Sequence, residues 1–106
     1  MKISGLNSAE REIVLRCLSA AVEGPYFDEE EFHTLFGLFR HEVSAVVARW
    51  PQVNDTDEDA KLAVNNALVN LLRYPHYEGQ KQLELVGATD AELERILRKL
   101  GSIGLA

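Results

Sequence analysis

Apolar residues recur with a helical period along most of the chain. In each of several stretches they fall three or four positions apart, the spacing that places side chains on one face of an α-helix. No segment alternates apolar and polar residues over a convincing length, as a half-buried strand would. The pattern predicts an all-α fold, a compact bundle of about five helices, over residues 8–23, 29–36, 39–50, 57–73 and 90–100.

The predicted helix starts share a side-chain pattern. An oxygen-bearing N-cap residue accepts a hydrogen bond from the first turn, and an acid three residues later reaches back. The pairs are Asn7 with Glu10, Asp28 with Glu31, Thr56 with Asp59 (or, one residue earlier, Asp55 with Glu58), and Thr89 with Glu92. The third helix lacks a good N-cap, so it is either a separate helix or a continuation of the second through a kink at Gly37.

The segment 57–73 is apolar around most of its helical circumference, and only a narrow wedge with Asn66 and Asn70 is polar. Such a helix is buried on most sides, so we expect it at the centre of the bundle. Asn65 falls on the apolar side, where its amide must find partners. We expect it to bond to the backbone of an adjoining loop, such as 24–27 or 51–55, in preference to a ligand.

The whole chain of 106 residues is predicted to form one helical domain. Residues 1–6 and 102–106 are expected to fray, and 77–87 to form a short helix or an irregular turn. No apolar run approaches the roughly 18 residues of a membrane span, and the first five residues do not resemble a secretion signal. With one cysteine, an intrachain disulfide is impossible, so we expect a soluble, cytoplasmic protein.

Charge narrows the choice of partner. The net charge is −6, from 17 acidic and 11 basic residues. Proteins that bind nucleic acids cluster Lys and Arg against phosphates, and no such cluster stands out in this sequence. We therefore expect a protein partner, for which the acidic balance would favour a basic protein, or a homo-oligomer. Nucleic acid and membrane are disfavoured.

Metal patterns are incomplete. Acids alternate over 55–59, but an EF-hand that starts at Asp55 needs Gly and Glu where this chain has Ala60 and Asn66. Glu30 and His33 form one Glu-x-x-His unit, of which dicarboxylate metal bundles need two. We expect no metal site.

Catalytic patterns are equally weak. Cys17 lies on the apolar face of the first helix, where cysteine is usually an inert small hydrophobe. The chain contains no nucleophile elbow and no phosphate or dinucleotide loop. We therefore expect no cofactor and no catalytic residue, and we favour a protein that is not an enzyme.

Candidates for an interface or pocket lie in the middle of the chain. Aromatic side chains and prolines meet where the third and fourth helices are predicted to end, and Tyr and Trp favour boundaries between apolar and wet surroundings. With the polar residues nearby, the candidates are His33, Trp50, Asn66, Asn70, Tyr74, His76 and Tyr77.

A helix-turn-helix is the sharpest specific alternative. Residues 30–50 have its layout, a short helix, Gly37 in the turn and a second helix. Two features disfavour it: His33 stands where this motif usually has a small residue, and the first helix begins with four consecutive acids. The recognition helix would present Arg40, His41, Ser44 and Arg49.

The same region resembles a group of small uncharacterised bacterial helical proteins. The resemblance rests on EFHTLFGL over 31–38, Trp50-Pro51, and the run NNAL.NLL.YPH over 65–76. It covers about 31–76 and leaves both ends of the chain outside. It implies that these residues belong together, but it implies no activity.

Function is predicted in three versions. The first is a small acidic protein-interaction module without enzymatic activity, of an immunity or regulator type. The second is a small-ligand binder or enzyme with a polar pocket near His33, Asn66, Asn70 and His76. The third is the helix-turn-helix DNA binder.

Overall fold

A computed structural model describes residues 3–23, 28–73 and 87–101. These ranges contain a short 3-10 turn, Ile3–Gly5, and no strand. The helices are α1 (Ser8–Glu23), α2 (Glu29–Phe36), α3 (Arg40–Arg49), α4 (Glu58–Arg73) and α5 (Asp90–Leu100). The predicted all-α bundle is confirmed, and each helix boundary lies within one residue of its prediction.

Three of the predicted N-caps form. Asn7 and Glu10 exchange hydrogen bonds of 2.8 and 2.9 Å, and Thr89 and Glu92 exchange bonds of 3.2 and 3.3 Å. The Asp28 carboxylate accepts from the Glu31 N–H at 2.8 Å. Local side-chain chemistry is thus sufficient to place these starts.

The cap predicted for the fourth helix is wrong by one residue. Asp57 accepts from the Ala60 N–H at 3.0 Å, so Asp57 replaces Thr56 and the alternative Asp55. The Thr56 hydroxyl bonds to the Asn54 side chain, which also accepts from the Thr56 N–H at 2.9 Å. Because the Thr56 hydroxyl is bonded within this local turn, the Asp57 carboxylate is the N-cap of the helix.

Helices α2 and α3 are separate, which decides between the two alternatives at Gly37. Gly37 lies in the left-handed region with φ 70°, and its N–H bonds to the His33 carbonyl. This conformation ends α2, because a residue with a Cβ would be strained there. Helix α3 begins after Phe39, which has no side-chain acceptor; Glu42 reaches back to the Phe39 N–H at 2.8 Å.

Helix α4 contacts each of the four other helices and is the centre of the bundle, as predicted. Its apolar face is buried, with Val64 and Leu68 fully inaccessible. Phe32 and Phe36 of α2 stack beside it with ring centroids 4.3 Å apart. The buried side chains of the described residues form one hydrophobic cluster.

The amino-terminal turn corrects the expectation of fraying for residues 3–6, while residues 1–2 lie outside the described residues. Ile3 is fully buried and Leu6 nearly so. The Ser4 N–H and hydroxyl both donate to Asp55, at 3.1 and 2.7 Å, and Arg11 donates to the Ile3 and Leu6 carbonyls. Burial and long-range hydrogen bonds therefore hold residues 3–6, and neither is visible in the local sequence.

Two expectations lie outside the described residues. They are the fraying of 102–106 and, apart from Gly87, the short helix or turn over 77–87. In the described ranges, no helix combines the length and the apolar character that crossing a bilayer requires.

Candidate functional site

The outer side of α2 carries an aromatic stack of three rings, those of His33, Phe39 and His41. The His33 and Phe39 rings are nearly parallel, with centroids 4.1 Å apart, and His41 stacks on Phe39 at 5.8 Å. All three residues are exposed. Phe39 is 52% accessible and is the exposed large hydrophobic residue of the described part of the chain.

Local backbone geometry explains why Phe39 is outside. Its position, four residues before Val43, would place it on the buried face if α3 extended to residue 39. Instead Phe39 is the N-cap, with extended backbone (φ −76°, ψ 157°), so its side chain leaves the helical stripe. His33 was among the predicted site residues and Phe39 was not, because the helical spacing between Phe39 and Val43 predicts a buried side chain at residue 39.

Carboxylates lie one helical turn before the stack. Glu30 and His33 are three residues apart on α2, a spacing that places two side chains on the same face. Asp28, Glu29 and Glu30 are all exposed. Together with the aromatic stack, Glu30 makes up what we call the α2 surface, defined by Glu30, His33, Phe39 and His41.

A shallow groove follows the next face of α2. Its volume is about 340 Å³, and it is lined by Glu30, Glu31, Thr34 and Leu35. Glu30 borders both this groove and the α2 surface. An apolar side chain that enters the groove would meet Leu35 and the Thr34 methyl group.

Arg40 lies on the inner side of the same helix and is engaged within the chain. Its guanidinium sits 4.5 Å from the centroid of the Phe32 ring and pairs with the Glu29 carboxylate. It also donates to the Ala21 and Val22 carbonyls at the end of α1. Arg40, the first residue of α3, thus joins the end of α1 to the first turn of α2.

Two asparagines of α4, Asn66 and Asn70, bond to the backbone at the end of α2. Asn66 donates to the Phe36 carbonyl at 2.8 Å, and Asn70 donates to the Leu35 carbonyl at 3.3 Å. The prediction that Asn65 bonds to the backbone of an adjoining loop is wrong, because its amide donates to the Asn66 side chain. The amides satisfy carbonyls that the end of α2 leaves without helical partners.

Trp50 has a structural contact. Its indole N–H donates to the Arg11 carbonyl at 3.2 Å, and its ring packs against the core. Among the other candidates, Tyr74, His76 and Tyr77 lie outside the described residues. The structure therefore brings His33 together with Phe39 and His41, while Asn66 and Asn70 turn toward the end of α2.

Arg49 forms a bidentate ion pair with Asp57, which the sequence did not predict. Its Nε and Nη2 atoms lie 2.9–3.0 Å from the Asp57 carboxylate oxygens. Partial burial raises the pKa of Asp57, but the Ala60 N–H and the Arg49 guanidinium outweigh it, and the pKa lies below its ordinary value. Two arginines of the supposed recognition helix, Arg40 and Arg49, are thus engaged in holding the fold.

Two of the acids over 55–59 have structural roles. Asp55 accepts from Ser4, and these bonds lower its pKa. Asp57 caps α4. Within the described ranges, no three His, Cys, Asp or Glu side chains come together as metal ligands would.

Cys17 is fully buried in the core. Burial raises the pKa of its thiol to about 12. The nucleophilic thiolate is therefore scarce near neutral pH, which agrees with the reading of Cys17 as a small hydrophobic core residue.

Comparison with known proteins adds no relative. The chain matches no protein-family model, and no curated protein or solved structure is significantly similar to it. The resemblance of residues 31–76 to small bacterial helical proteins stays a prediction.

Proposed function

We propose that this chain is a small acidic protein-interaction module that binds a basic protein segment through the α2 surface. One observation carries the proposal: Phe39 is half exposed and stacked between two exposed imidazoles. Aromatic side chains that are held rigidly at a surface lose little entropy on binding and are frequent interface anchors.

Charge complementarity selects the partner. The chain has a net charge of −6, and the exposed acid Glu30 lies one helical turn before His33. A positively charged segment would be attracted at long range and would meet carboxylates at the rim of an aromatic contact. The 340 Å³ groove beside Leu35 offers a place for an apolar neighbour of those charges.

The two other predicted functions receive less support. A polar pocket would need the amides of Asn66 and Asn70, which bond to backbone carbonyls of α2. A recognition helix would need Arg40 and Arg49, which are committed to the bundle. No observation on the described residues favours either function over the interaction module.

A capture experiment followed by reconstitution tests the proposal. The full chain is used as bait in native lysate, captured proteins are identified by mass spectrometry, and each is purified for calorimetric titration. We expect a basic partner whose affinity falls by about tenfold or more with Phe39→Ser, as for a central interface anchor. We expect Glu30→Gln to weaken binding by less, with a shallower dependence on salt.

Glu94→Gln is the matched control, because Glu94 is an exposed acid on α5 and its replacement changes net charge equally. It should leave the affinity unchanged. A partner that binds wild type, Phe39→Ser and Glu30→Gln with equal affinity would show that the α2 surface is not the interface.

A further inference from the structure

Arg40 already makes, within this chain, the contact that we expect of an arginine at the α2 surface. The Arg40 guanidinium stacks over the Phe32 ring at 4.5 Å and pairs with the Glu29 carboxylate. Ring face and carboxylate thus act together on a single guanidinium. Arginine suits both, since its planar group stacks on rings and pairs with carboxylates, while lysine acts as a compact, strongly hydrated charge.

On the outer side of the same helix, the α2 surface again combines aromatic rings with a carboxylate. The stacked rings of His33, Phe39 and His41 supply aromatic area, and Glu30 lies one turn before His33. Resting on the proposed function, we infer that the α2 surface selects an arginine side chain of its basic partner. The guanidinium stacks on the exposed rings and pairs with Glu30.

Geometry and charge both distinguish this occupant from a purely aliphatic one. The three rings are nearly parallel, 12° and 7° apart, so a planar guanidinium can extend the stack at an outer face. An aliphatic side chain would bury the rings equally well but would bring no positive charge to the Glu30 carboxylate. A guanidinium contacts both, and charge-assisted pairing adds to the stacking.

Titration of the isotope-labelled full chain with two capped pentapeptides tests the inference by NMR. One peptide is Gly-Arg-Gly-Arg-Gly, and the other has lysine in place of both arginines. We expect the arginine peptide to shift amide resonances over 29–41 and to bind about threefold or more tightly than the lysine peptide, as stacking predicts. Lysine binding that equals or exceeds arginine binding would overturn the inference.

Phe39→Leu separates ring stacking from simple apolar contact, since leucine keeps an apolar side chain but has no ring. It should remove the arginine preference and leave lysine binding unchanged. A preference that survives Phe39→Leu, or arginine-induced shifts confined to other helices, would also overturn the inference. If the peptides bind equally while Phe39→Ser still abolishes partner binding, arginine selection is wrong and the interaction module stands.

Discussion

The two sides of α2 use similar side chains for opposite purposes. On the inner side, Phe32 is fully buried and Arg40 covers its ring. On the outer side, Phe39 is half exposed between His33 and His41, and Glu30, one turn before His33, is exposed. An aromatic ring beside a carboxylate therefore stabilises the fold where an arginine of the same chain reaches it. Where none does, the pair is available to a partner.

The largest difference should appear when the two phenylalanines are truncated. Phe32→Ala leaves a cavity in the core, and we expect it to lower the free energy of unfolding by about 3–5 kcal/mol. Phe39→Ala should change it by about 0.5 kcal/mol or less, because the ring is exposed. Urea unfolding followed by circular dichroism measures both. Equal losses would mean that Phe39 belongs to the core.

Removing the inner guanidinium should have the next largest effect. Arg40→Met keeps the length of the side chain but leaves the Ala21 and Val22 carbonyls without this donor. We expect a loss of about 2 kcal/mol in unfolding free energy. Arg16→Met is the control, because Arg16 forms an exposed ion pair with Glu12, worth about 0.5 kcal/mol. If Arg40→Met lowers the unfolding free energy no more than Arg16→Met does, the bonds from Arg40 to the end of α1 do not stabilise the fold.

The hydrogen bond from α4 to the end of α2 should contribute less. Asn66→Ala removes the donor to the Phe36 carbonyl, and we expect a loss of about 1–2 kcal/mol. Asn65→Ala is the neighbouring control and should cost less, since Asn65 bonds to a side chain and alanine favours the helix. Thermal and urea unfolding of both variants provide the comparison. A larger loss at Asn65 would contradict this assignment.

The smallest effect concerns acid stability. The pKa values of three carboxyl groups lie below their ordinary values. Asp57 is bonded by the Ala60 N–H and Arg49. Hydrogen bonds from Ser4 lower the pKa of Asp55, and the bond from Lys99 lowers that of Glu10. A carboxylate whose pKa is lower in the folded state stabilises the fold above its unfolded pKa, and this contribution is lost as the pH falls through the folded value. Stability should therefore decline below about pH 4.

Asp57→Asn isolates one part of that decline, because asparagine remains an N-cap acceptor but cannot form the ion pair. We expect it to cost about 1 kcal/mol near neutral pH. The difference from wild type should shrink as the pH falls from about 4 toward the lowered pKa of folded Asp57, because protonation then removes the charge that Arg49 pairs with. Urea unfolding over a pH series measures this, and a difference that stays constant down to about pH 2 would contradict the role of the charge.

Much of the secondary structure follows from local chemistry. Asn7, Asp28 and Thr89 cap helices where the sequence places them, because the acceptor and the N–H groups it bonds are three residues apart along the chain. The buried α4 follows from its apolar circumference. The site was less accessible to such reasoning: His33 was identified, while Phe39 was not, since the apolar period predicts an inward side chain.

What the sequence determined by itself was therefore what depends on neighbours within about one helical turn: the starts, the ends and the apolar faces of the helices. The tertiary structure decided which carbonyls Asn66 and Arg40 satisfy, that Arg49 pairs with Asp57, and that residues 3–6 are held. These contacts join residues distant in sequence, so local spacing carries no record of them. The exposure of Phe39 was also decided by the tertiary structure, because Gly37 ends α2 and α3 begins only after Phe39.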